Sequence, residues 1–121
     1  MTEQWPRDAA GHPFPTTYYV TCPHLVAAVA RLEAGGGVDR WSRLAREEPE
    51  LAASLEHATA EQQALRPDIP GGIGGSTRSG SLKCLHAHAA FALARPGYEL
   101  GERILADVGP LWPADRCCTA E

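Results

Sequence analysis

The sequence predicts a mostly α fold, a small bundle of about five helices with one short extended or β segment near the N-terminus. Apolar residues recur at three- and four-residue steps in several stretches, the period of helices with one buried face. The apolar fraction of 44% comes heavily from Ala, with only two Phe and one Met, so helices can approach closely around small side chains. Clusters of Gly and Pro punctuate the chain and set the boundaries. At 121 residues there is room for one domain with a single modest core. We divide it into an extended lead-in over 1–15, a helical domain over 16–112 and a Cys-containing tail over 113–121.

The lead-in carries Trp5, Pro6, Gly11, Pro13 and Pro15 without a helical period. Thr16 to Thr21, β-branched and aromatic, gives the strand signal. One strand cannot form a sheet, so it needs a partner in this chain or in a second copy, or it lies across the helices. Cys22-Pro23 opens the first helix, with Cys22 as N-cap and Leu25, Ala28, Val29 and Leu32 on one face, until Gly35-Gly36-Gly37 stops it. A second helix runs from about Val38 to Arg46, burying Val38, Trp41, Leu44 and Ala45. Pro49 starts the longest, from about Glu50 to Leu65, with a stripe of Leu51, Leu55, Ala58, Gln62 and Leu65. Pro67 to Gly80 reads as a loop.

The central element follows. Ser81 is a fitting N-cap, and Leu82 to Arg95 forms a helix that ends before Pro96. A step of about 100° per residue sets Leu82, Leu85, Ala89, Ala92 and Leu93 on one stripe, Cys84, His88 and Phe91 on one flank, and His86 on the other. Apart from Lys83 and Arg95 near its ends it carries no charge at neutral pH, the pattern of a helix covered on most sides. A last helix from about Glu99 to Val108 presents Leu100, Ile104 and Val108.

A net charge of −4 with scattered Lys and Arg lacks the concentrated positive field of a nucleic-acid binder. No apolar run reaches the roughly eighteen residues of a membrane span, and the first ten residues lack the order of a secretory signal. The expected setting is cytoplasmic, where Cys22, Cys84, Cys117 and Cys118 would stay reduced and serve as metal ligands or buried thiols.

Two sites are legible. The first is a metal site of Cys22, Cys84, His88 and one of Cys117 and Cys118, suited to zinc and more readily structural than catalytic. Cys84 and His88 stand one helical turn apart, and a thiol at a helix start such as Cys22 favours the thiolate that metals bind. His86 lies roughly 160° around the helix from Cys84 and could join them only if the helix unwound. The competing reading makes Cys84 a small buried hydrophobe and His88 a core histidine hydrogen-bonded to a carbonyl. The second site is a cradle for a small anionic ligand, a phosphate or nucleotide, formed by Gly72, Gly74, Gly75, Arg78 and Lys83. There His86 or His88 would be the general acid or base. The competing reading is a plain connecting loop. A third role, without enzymatic activity, is an interaction module that forms a homodimer through the Tyr18–Thr21 strand.

Pro13-Phe-Pro-Thr-Thr-Tyr-Tyr-Val-Thr-Cys-Pro, Arg31-Leu-Glu, Gly72-Ile-Gly-Gly and Lys83-Cys-Leu-His-Ala-His resemble a bacterial family common in actinobacteria, DUF501. The resemblance spans about residues 11–112 and implies a cytoplasmic setting without an assigned activity. This chain departs from the family pattern in a shorter N-terminus and in Tyr98-Glu-Leu-Gly where an Asn-Pro-type turn is more usual. The further N-terminal segment that relatives carry is a candidate partner for the Tyr18-Tyr19 strand, whose pairing in this chain the resemblance leaves open.

Overall fold

The structure, a computed structural model, describes residues 2–3, 18–68, 72–73 and 82–109. Within them lie five helices: α1 (Pro23–Ala34), α2 (Gly37–Glu47), α3 (Pro49–Leu65), α4 (Leu85–Ala94) and α5 (Glu99–Asp107). The mostly α expectation holds. Strands β1 (Thr2–Glu3) and β2 (Tyr18–Tyr19) pair antiparallel, Thr2 opposite Tyr19 and Glu3 opposite Tyr18. Thr2–Glu3 thus supply the partner that the sequence left open; Val20 and Thr21 of the expected strand fall outside β2, and Thr16 and Thr17 lie outside the described residues.

Pro at the first turn starts both α1 and α3, as their spacing implies. Gly36, at φ +86°, makes the left-handed turn between α1 and α2, a conformation open to Gly at little cost. Leu25 and Val29 of α1, Trp41 and Ala45 of α2, Leu51 and Ala58 of α3, and Leu100 and Ile104 of α5 all enter one core.

Helix α4 is the centre of that core. Leu85, Ala87, His88, Ala89, Ala90, Phe91 and Ala92 are all buried, so the uncharged stretch is covered on nearly every side. It packs against α5, α1 and β2. Phe91 meets Tyr18 of β2 and Tyr98 edge-on, with ring centroids 5.7 and 5.8 Å apart. The small residues permit an approach close enough that a Cβ on Gly101 of α5 would sit 2.7 Å from the Ala92 Cβ.

Polar contacts fix the outer elements. Asp107 at the end of α5 accepts from Trp41 Nε1 at 2.9 Å and pairs with Arg40, tying α5 to α2. Arg103 bridges α5 to the start of α3 through Glu48 and Glu50.

Candidate metal centre

The departure from the sequence reading that matters for function occurs at the start of α4. The helix begins at Leu85, three residues later than the expected Leu82, and Cys84 occupies the N-cap in an extended conformation with φ −147°. Ser81, the expected cap, lies outside the described residues.

The delay has a local cause. The Leu82 N–H donates to Ser42 Oγ at 3.0 Å, and the Leu82 carbonyl accepts from Cys84 N–H at 2.7 Å and from His88 Nε2 at 3.1 Å. With its carbonyl engaged two residues ahead, Leu82 sits in a three-residue turn rather than a helical one. Lys83 at the turn's apex is the one non-Gly residue with positive φ among the described residues, at 66°. That is the rarer, strained form of such a turn. It persists because the Leu82 side chain is buried in the core and both its backbone groups are held from outside.

The shifted start changes which side chains meet. In a helix Cys84 and His86 would point apart, but an extended Cys84 swings its thiol to the side of His86. Glu33, in the last turn of α1, joins them. One ligand atom from each of Glu33, Cys84 and His86 can be chosen so that all three lie within 4.8 Å of one another.

The contacts of the three residues are specific. His86 Nδ1 is 3.2 Å from Glu33 Oε1, and His86 Nε2 is 3.1 Å from the Val26 carbonyl. A neutral imidazole has one N–H. If it donates to Val26, the Nδ1 lone pair faces a carboxylate oxygen, and a proton or a metal cation must lie between them. Glu33 Oε2 accepts the Leu85 N–H at 2.7 Å, one of the orphan donors of the α4 N-terminus. Glu33 and His86 have side chains 25% and 27% exposed, so an ion can reach the group from solvent.

His88, proposed from its spacing as a ligand beside Cys84, is placed elsewhere. It is fully buried, with Nε2–H donating to the Leu82 carbonyl and Nδ1 accepting from the Tyr98 hydroxyl at 2.8 Å. Both ring nitrogens are used within the protein, so no lone pair is left for an ion. This is the core histidine bonded to a carbonyl. Burial lowers its pKa to about 4, the hydrogen bond to Leu82 opposing the shift. Burial likewise pushes the Tyr98 hydroxyl well above the usual tyrosine range, keeping it a proton donor. His88 contributes to the site indirectly, by holding the turn that presents Cys84.

Cys22 is disulfide-bonded, which corrects the expectation that all four thiols stay reduced and removes Cys22 from any ligand set. Cys84 is the free cysteine of the described residues. Cys117 and Cys118 lie outside the described residues, as do Gly74, Gly75 and Arg78 of the proposed anion cradle. Of the other cradle residues, Gly72 precedes the buried Ile73, Lys83 forms the strained turn, and His86 belongs to the Glu33 group. Sequence reasoning missed Glu33 altogether. It sits 52 positions before the N–H it accepts, and its place in the last turn of α1, where acidic residues oppose the dipole, was the only local oddity that could have marked it.

A cavity of about 260 Å³ adjoins the group, with Tyr18, Val20, Val26 and Ala87 in its wall beside Cys84 and His86. Among the described residues no helix is long and apolar enough to cross a membrane.

Residues 2–70, more than half of the chain, match the model of a family described as "Protein of unknown function (DUF501)". The match covers Glu33 and ends before Cys84 and His86. No curated protein and no solved structure matches the chain.

Proposed function

The chain belongs to the DUF501 family, and on that premise we propose that it is a small metal-binding domain in which Glu33, Cys84 and His86 hold one divalent ion, zinc by preference. The observation that carries this is the 3.2 Å between His86 Nδ1 and Glu33 Oε1. Nitrogen and oxygen ligands each about 2.0–2.1 Å from a tetrahedral zinc stand about 3.3 Å apart. A mixed sulfur, nitrogen and oxygen donor set suits that ion.

The surroundings support the same reading. Metal-bound histidine commonly donates its second ring N–H to a backbone carbonyl, the role Val26 would play, and metal-bound carboxylates commonly accept a further hydrogen bond, as Glu33 does from Leu85. The ion would staple the end of α1 to the beginning of α4, so its role is structural first. Three protein ligands would leave a fourth position for water or another ligand.

Metal analysis tests the reading on protein purified without a histidine tag and supplied with zinc during growth. The expected result is one zinc per chain, lost in Cys84→Ser and in His86→Ala but kept in His88→Gln. Folded protein that takes up no zinc, or zinc that persists in Cys84→Ser, overturns it.

A further inference from the structure

The cavity beside the Glu33 group has a mixed character. Cys84 and His86 stand in a wall otherwise made of Tyr18, Tyr19, Val20, Val26 and Ala87. Two of the three proposed metal ligands therefore border a partly open space whose lining is mostly apolar. Its volume of about 260 Å³ falls below the roughly 300 Å³ at which pockets for drug-sized ligands begin. A molecule seated there would be small. It would find few polar partners in the wall, because His86 Nε2 already serves the Val26 carbonyl and Nδ1 faces Glu33.

We infer that the fourth coordination position of the ion opens into this cavity and takes a small molecule with one anionic head and an apolar body, a short alkyl carboxylate in chemical class. This rests on the metal reading above. The head would replace water on the ion as a monodentate oxygen ligand. The body would displace water from the aliphatic and aromatic wall, which sets the selectivity: each methylene that finds room tightens binding by about fourfold. Acetate, which leaves the cavity largely unfilled, is then a weak ligand, and hexanoate a much better one.

The whole chain loaded with cobalt(II) in place of zinc provides the readout, since the visible spectrum of cobalt responds to a new ligand. Titration with acetate, butanoate and hexanoate is expected to shift the same bands, with affinity rising about fourfold per methylene. Ala87→Leu, which narrows the cavity, is expected to flatten that series while the spectrum without carboxylate stays unchanged. The series on the unsubstituted chain decides the matter even if this variant does not fold. A cobalt spectrum that no carboxylate alters, or that acetate and hexanoate alter with equal affinity, overturns the inference and leaves the metal reading standing. Failure to bind cobalt or zinc at all overturns both.

Discussion

The Glu33 carboxylate, at the end of α1, accepts the backbone N–H of Leu85, the first residue of α4, at 2.7 Å. One side chain thereby supplies both an inter-helix cap and a proposed metal ligand, and the two roles can be separated. Glu33→Gln keeps an acceptor for Leu85 but loses the anionic oxygen, whereas Glu33→Ala loses both. In metal-free protein, urea denaturation is expected to show Glu33→Ala less stable by about 1–2 kcal/mol and Glu33→Gln by less than about 1 kcal/mol. Both should lose zinc. Equal destabilisation by the two substitutions would remove the capping role.

Lys83 is held at φ 66° by contacts its own side chain does not make. Glycine adopts that conformation at little steric cost, though it has more freedom to lose on folding. Lys83→Gly is therefore expected to stabilise the chain modestly, by up to about 1 kcal/mol, with zinc affinity retained. A loss of more than about 1 kcal/mol in the same denaturation assay would show that Lys83 is not strained in the folded chain.

His88 makes stability depend on pH in a definite direction. Its pKa is about 4 in the folded chain against 6.5 for the ordinary imidazole, so between those values the unfolded chain binds the extra proton. The stabilisation from keeping His88 neutral is whole above pH 6.5 and is lost as pH falls towards 4, by as much as about 3 kcal/mol. His88→Gln has no such group to titrate. Chelator-treated samples unfolded at a series of pH values should give a shallower curve for the variant over that interval, and parallel curves would contradict a buried neutral imidazole.

Gly101 lies where α5 crosses α4. A Cβ there would come within 2.7 Å of the Ala92 Cβ and of Tyr98 Cδ2, and within 2.9 Å of the His88 carbonyl oxygen. Gly101→Ala is expected to lower stability by about 1–3 kcal/mol through overpacking, although alanine is the better helix former. Thermal unfolding measures it, and a raised melting temperature would show that α4 and α5 can separate without loss.

Most of the architecture was legible because it depends on short-range signals. The Pro residues opening α1 and α3, the Gly residues between α1 and α2, and the uncharged Ala-rich run of α4 each act on a few neighbouring residues. The site was legible only in part. Cys84 stands out in the sequence as a metal-competent side chain, but helical periodicity taken without interruption from Leu82 pairs it with His88, because it puts residues four apart together.

By itself the sequence determined which stretches coil, which faces are apolar and that two histidines sit on the most buried helix with a cysteine near its start, since composition and period act locally. Tertiary structure alone decided where that helix begins, which histidine meets the thiol, and that Glu33 and Thr2–Glu3 are partners of distant residues. The reason is one of hydrogen bonds: Ser42 and His88 hold the backbone of Leu82 in a turn, and contacts of that kind across the chain leave no trace in local periodicity.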